Sequence, residues 1–219
     1  MLAVVSKVAL IFAIGFSQSG IAATVNDENL PTRFTTWLSE SENRQSAYVE
    51  LDNLLEKNGV KDIVPTWQLL IPDEQYSSHE CPIESFVIPP KALWPNAIST
   101  LKLVRALVIP ALGPVRVVSG YRPPEFNRCI GGAKSSVHMT FSAFDLVTVQ
   151  PGDVERLFRT MCKTWGRAPP DSKFGFGAYF DPRTANSNPD GRFHVDSFGR
   201  RTWGFDYTSK SSYCLKPLK

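Results

Sequence analysis

The stretch from Val115 to Val149 limits the fold more than any other part of the chain. It joins two apolar, strand-like runs through a connection dense in glycine and charge. Val115, Val117 and Val118 form a β-branched run that stops at Ser119-Gly120, and Ala143 to Val149 reads as a buried strand. Between them lie Arg122 on a tight turn, a short helix over Glu125 to Ile130, and Gly131-Gly132. The glycines end that helix because they readily take the left-handed conformation a helix end needs. The stretch also holds His138 and Asp145, with six residues between them. A helix would bring these two near one face, but Phe141, Phe144 and the apolar residues after Asp145 favour a loop that enters a strand.

The remaining segments supply a scaffold for this unit. Thr24 to Glu42 is polar and interrupted by Pro31, and reads as an irregular lead-in with Phe34, Trp37 and Leu38 resting on the surface. Ala47, Leu51, Leu54 and Leu55 recur at helical spacing within Ser46 to Asn58, where Asn58-Gly59 is a stop signal. Val64 to Pro90 is proline-rich and predicts extended segments and turns, with His79 as a surface residue beside Cys81. Helices are expected over Ala97 to Val108 and Asp153 to Trp165, and strands over Gly175 to Phe180, Arg192 to Ser197 and Arg201 to Phe205. The Asn-, Asp-, Pro- and Ser-rich loop Asp181 to Gly191 should be exposed. Helices interleaved with short strands give an α+β class. The expected architecture is a small, mainly antiparallel sheet flanked by helices, with a helical N-terminal region.

Residues 1–23 form a processing segment: Lys7, an apolar core from Val8 to Phe16, then small and polar residues to Ala23. An apolar run this short falls below the about 20 residues a membrane span needs, so a signal cleaved after Ala22 or Ala23 is favoured over an uncleaved anchor. The expected division is therefore 1–23 signal, 24–88 N-terminal region and 89–219 catalytic domain. Cys81, Cys129, Cys162 and Cys214 all follow the signal, and none forms a C-x-x-C pair. Export to an oxidising compartment, the periplasm, then implies two disulfides among three possible pairings. The net charge of +3 is too mild to argue for nucleic acid. A monomer with no stable membrane association after cleavage is expected.

The chemistry rests on His138, Asp145 and a second short piece, G-R-F-H-V-D at Gly191 to Asp196. Two imidazoles, from His138 and His194, and the Asp145 carboxylate make three ligands for one zinc ion. The fourth tetrahedral position stays open, as a catalytic zinc needs. By spacing alone, His138 and Asp145 equally fit a hydrogen-bonded core pair.

Four motifs in order go further: S-G-Y-R at Ser119 to Arg122, N-x-x-x-G-G-A at Asn127 to Ala133, S-x-H with Asp145 beyond it, and H-V-D followed by Thr202-Trp203. Together, over roughly Pro89 to Gly204, they resemble the D-Ala-D-Ala carboxypeptidase family of zinc peptidases, related to the lysostaphin-type fold. The resemblance implies that His138, Asp145 and His194 bind zinc and that peptidoglycan stem peptides are the substrate. It also implies that Arg122 faces that substrate, where its planar fork suits a carboxylate or a polarised carbonyl; a salt bridge closing the turn is the other reading. Tyr121 and Ser136 are further candidate substrate contacts.

Two departures stand out. Phe141 lies where the family usually has glycine, so a different loop path is expected. Gly191 occupies the position, three before the second histidine, where many members carry the general base, and Asp190 is one residue too early. Asp196 shares a strand face with His194 and is left with three possible roles: catalytic base, extra ligand, or a group that orients an imidazole. Carboxypeptidase and endopeptidase activity both fit, and a non-catalytic wall- or metal-binding module that keeps the fold is the alternative.

Overall fold

The protein is described by a computed structural model covering residues 31–75, 81–181 and 188–215. The expected signal segment, His79 and residues 182–187 of the expected exposed loop lie outside the described residues. At the centre is a five-stranded sheet of β1 (Val115–Ser119), β2 (Ala143–Thr148), β3 (Gly175–Gly177), β4 (Phe193–Asp196) and β5 (Arg201–Trp203), in the order β1-β2-β4-β3-β5. The pairings β1–β2, β2–β4 and β4–β3 are antiparallel, and β3–β5 is parallel, so the sheet is mixed. The parallel pair follows from strand order. β4 already has a neighbour on each side, so the chain leaving it can add β5 only at the free edge of β3. Reversing direction after β4 then makes β5 run parallel to β3.

Alternation along the strands separates core from site. Phe144, Leu146, Phe176, Phe193 and Val195 are fully buried on one face. Asp145 and His194 stand opposite each other on the other face, in register across β2 and β4. Ser119 on β1 pairs with Asp145, Gly177 on β3 pairs with His194, and Trp203 on β5 pairs with Gly177. One continuous row therefore crosses the whole sheet.

Among the described residues, helices α1 (Thr32–Ser39), α2 (Glu42–Lys57), α3 (Trp94–Leu103), α4 (Ile109–Leu112), α5 (Pro124–Cys129) and α6 (Val154–Arg167) surround this sheet. Ser41 caps α2 by accepting from the Arg44 amide, and Asp153 caps α6 by accepting from the Arg156 amide. A π-helical turn, Val104–Val108, joins α3 to α4, with the Ile109 amide bonded to the Val104 carbonyl. This wider turn lets the helix continue past Pro110, which has no amide to donate, so it ends at Leu112 rather than Val108.

The lead-in differs from expectation. Phe34, Trp37 and Leu38 do not rest on the surface; they form the buried face of α1, at 0, 8 and 6% exposure. Their i, i+3, i+4 spacing is helical, and Phe34 meets Tyr48 and Phe86 edge-on at 5.0 Å. The proline-rich segment also holds more than extended chain: Thr66–Leu70 is a 3-10 helix. After it, the Gly120 amide donates to the Ile71 carbonyl and the Glu74 amide to the Val118 carbonyl, so residues 71–74 hydrogen-bond along the outer edge of β1. Gly120 is required here, since a Cβ would lie 2.0 Å from the Leu69 carbonyl oxygen. Disulfides join Cys81 to Cys129 and Cys162 to Cys214, which fits an oxidising compartment.

Phe141 accounts for the first departure noted in the sequence. It adopts φ 57°, ψ 27°, the left-handed conformation that glycine takes without penalty. Its ring is fully buried and packs edge-on against Tyr121 and Phe144, at 6.3 and 5.9 Å. A left-handed non-glycine residue costs about 1–2 kcal/mol, whereas removing a buried phenylalanine costs about 3–5 kcal/mol. Phe141→Gly should therefore destabilise the protein by about 1–4 kcal/mol in urea unfolding, even though it relieves the backbone.

Candidate metal centre

The three expected ligands converge. His138 lies on a 3-10 turn, Val137–Thr140, and is 2% exposed; Asp145 on β2 is 2% exposed and His194 on β4 is 4% exposed. His138 Nε2 is 3.0 Å from His194 Nδ1 and 3.3 Å from Asp145 Oδ1, and His194 Nδ1 is 3.0 Å from Asp145 Oδ1. A tetrahedral zinc with bonds near 2.05 Å separates its ligand atoms by about 3.3 Å. The donor set and its spacing therefore fit a single metal ion.

Hydrogen bonds behind the ligands select which atoms face that point. His138 Nδ1 is 2.8 Å from the Gly120 carbonyl oxygen, and His194 Nε2 is 3.0 Å from Asp196 Oδ2. Each ring can donate its proton rearward and leave the other nitrogen bare, as metal-binding imidazoles require. Asp145 is divided in the same way: Oδ1 faces the histidines, and Oδ2 accepts from Arg122 Nη2 at 2.7 Å and Arg192 Nη2 at 2.6 Å.

The electrostatics of the metal-free site follow from the same contacts. Burial lowers the His138 pKa to about 4, with the Arg122 charge adding to that effect against the pull of Asp145. Burial also opposes a charge on His194, but its hydrogen bonds to the Asp145 and Asp196 carboxylates outweigh it and raise its pKa. Burial would raise Asp145, yet the His138 and Arg192 charges and hydrogen bonds from His138 and His194 hold it well below the usual carboxylate range. Arg192 is raised too: burial disfavours its charge, and Asp145 and Asp73 more than compensate.

Asp73 and Arg192 are two residues that sequence reasoning missed. Arg192 makes a two-pronged pair with Asp73, at 2.9 and 2.6 Å, and Arg122 Nη2 reaches Asp73 Oδ2 at 3.2 Å. Asn188 fixes the Arg192 backbone through both its amide and its carbonyl, at 3.0 and 2.7 Å. Arg192 was findable, since it precedes His194 by two positions and so shares its face. Asp73 carries no local signal, because its partner is 119 residues away.

The other expected site residues divide. Arg122 and Ser136 line a cavity of about 620 Å³ that opens on the three ligands, within the usual size of a ligand site. Tyr121 does not line it: the ring is 5% exposed and packs into the core against Phe141. Asp190 is exposed on a turn and also lies outside the lining. Asp196 is fully buried behind His194, on the side away from Asp145, where Arg201 grips it at 3.0 and 2.9 Å. Burial would raise the Asp196 pKa, but the hydrogen bond to His194 and the Arg201 charge lower it.

Two buried side chains on a small sheet and a third on the turn that precedes β2, beside an open cavity, form a group that could hold one metal ion. Residues 70–178 match the Peptidase M15 family model, and the chain belongs to that family of D-Ala-D-Ala carboxypeptidase zinc peptidases. Membership supports a zinc peptidase acting on peptidoglycan. The matched segment contains Asp73, Arg122, Ser136, His138 and Asp145, while His194, Asp196 and Arg201 lie beyond it. No curated protein and no solved structure matches the chain.

Removing Asp73 would leave Arg122 and Arg192 with Asp145 as their one shared carboxylate, and breaking such a buried network costs about 3–5 kcal/mol. Asp73→Ala should lower stability by about that amount in urea unfolding of the metal-free protein, with no residue that touches the metal altered.

Proposed function

We propose that this chain is a secreted, periplasmic zinc peptidase that hydrolyses D-amino-acid peptide bonds in peptidoglycan stem peptides, as a D,D-carboxypeptidase or endopeptidase. The observation that carries the reading is the convergence of His138 Nε2, His194 Nδ1 and Asp145 Oδ1 beside an open cavity. When bound, zinc supplies a Lewis acid that polarises a carbonyl and makes water acidic near neutral pH. His138, Asp145 and His194 would hold it. Arg122 has its Nε on Ser119 and its Nη2 on Asp73 and Asp145, and Nη1 has no partner among the described residues. That free nitrogen suits a substrate carboxylate or the carbonyl under attack. Ser136, on the cavity wall, is a further substrate contact.

For Asp196 the geometry favours orientation over proton transfer. Its carboxylate accepts from His194, Arg201 and the Phe198 amide, so it keeps the His194 tautomer with Nδ1 bare. Asp196→Asn should then weaken zinc binding about 10–100-fold, read by competition with a chromogenic chelator. Full metal affinity with turnover lost would instead make Asp196 the base.

A second reading, a module that binds wall or metal without cleaving, draws on a specific observation. The two carboxylates lining the cavity, Asp73 and Asp145, are both committed to arginines, and Gly191 stands at the usual base position. Purified zinc-loaded protein should release D-Ala from pentapeptide muropeptides or split crosslinked dimers, as followed by mass spectrometry. Chelation should stop this and added zinc restore it, and His138→Ala should lose both metal and hydrolysis. Stoichiometric zinc without cleavage of either substrate would favour the second reading.

A further inference from the structure

Tyr179 is a cavity residue that neither the sequence nor the ligand set singles out. It follows β3 by two positions, and contacts with Trp203 and Tyr207 hold its side chain. Gly177 lacks a Cβ where one would lie 2.8 Å from His194 Cβ and 3.0 Å from Trp203 Nε1. The Trp203 indole can therefore lie against His194, ring centroids 5.0 Å apart, while the Ala178 amide donates to the Trp203 carbonyl at 2.7 Å. From there Trp203 Nε1 donates to Tyr179 Oη at 3.4 Å. On its other side the Tyr179 ring meets Tyr207 edge-on at 5.8 Å.

Tyr207 is itself unusual, at φ 62° and 72% exposed. The turn holds it there: its amide donates to the Gly204 carbonyl, and Asp206 accepts from Thr208 and Ser211. A bulky exposed residue kept in a left-handed conformation beside a cavity points to a role there rather than in the core.

The Tyr179 oxygen thus accepts from Trp203, while its own proton has no acceptor among the described residues. Burial pushes this phenol's pKa up and the Asp145 charge adds to the shift, so the group stays a neutral donor across the working range. Resting on the peptidase reading above, we propose that Tyr179 is a further catalytic residue. Its hydroxyl donates a hydrogen bond to the oxygen of the scissile carbonyl as that oxygen gains negative charge. No proton is transferred: the O–H bond stays intact and the donor is already in place, which is how such contacts lower a barrier. A neutral hydroxyl suits a carbonyl oxygen, whereas the charged Arg122 also suits a carboxylate.

Tyr179→Phe removes one oxygen atom and tests this directly. With zinc stoichiometry and circular dichroism matched to wild type, kcat on the cleaved muropeptide should fall about 100-fold, with KM within about threefold. Affinity for a phosphinate dipeptide, a tetrahedral mimic, should weaken by about the same factor as kcat, while affinity for the product peptide stays. Unchanged kcat, or unchanged phosphinate affinity, overturns the proposal, and loss of zinc would make Tyr179 a structural residue instead. Wild-type protein that cleaves, with a variant that cleaves equally, overturns the tyrosine role alone. Wild-type protein that neither cleaves nor binds the phosphinate overturns the peptidase reading and the tyrosine role together.

Discussion

The structure depends on how the Asp145 carboxylate is divided. One oxygen faces two ring nitrogens and the other accepts from two arginines. The arginines fix the carboxylate's rotation, and a fixed carboxylate leaves one lone pair aimed at a single point. They also neutralise a charge that would otherwise be costly at 2% exposure. Asp73 then balances the arginines, and the hydrogen bonds of residues 71–74 to the outer edge of β1 bring it there. A segment remote in sequence in this way positions a candidate ligand that lies on the second strand of the sheet.

Sheet register supplies the rest of the geometry. Ser119, Asp145, His194, Gly177 and Trp203 form one row, and Ala143, Asp196, Gly175 and Arg201 form the next. On β3 both rows contain glycine. A Cβ on Gly175 would lie 2.1 Å from the Asp196 carboxylate, and one on Gly177 would lie against His194 and Trp203. The bare strand lets Arg201 and Trp203 reach across from β5 to support β4. The Gly-Phe-Gly sequence of β3 is thus a constraint set by its neighbours: Phe176 fills the core, and each glycine makes room on the site face.

The α+β class was legible from short-range patterns, and the candidate ligands from four motifs in order. His138 and Asp145 sit on a loop entering a strand, and His194 and Asp196 alternate with apolar residues. Helix ends at Asn58-Gly59 and Gly131-Gly132 follow from glycine's backbone freedom. What escaped was set by distant contacts. Trp37 and Leu38 looked peripheral because the polar run around them masked a helical spacing that Phe86 and Tyr48 complete. Tyr121 has the composition of a site residue, but Phe141 draws its ring into the core. Phe141 itself looked like a change of loop path, yet the backbone keeps a glycine-like conformation and ring packing offsets the strain.

Asp196 shows why shared facing on a strand does not fix a role. It lies on the same face as His194, and sequence alone left it free to be base, ligand or support. The imidazole is oriented edgewise between two carboxylates, with Nδ1 toward Asp145 and Nε2 toward Asp196. A ring in that position separates the two acids, so only one of them can share the point where His138 also converges. Arg201 and the Phe198 amide occupy the oxygens of the other. Both acidic partners of His194 are therefore held by arginine, and neither offers a free carboxylate to the cavity. In the proposed reaction, charge stabilisation then falls to donors such as Arg122 and the hydroxyl of Tyr179.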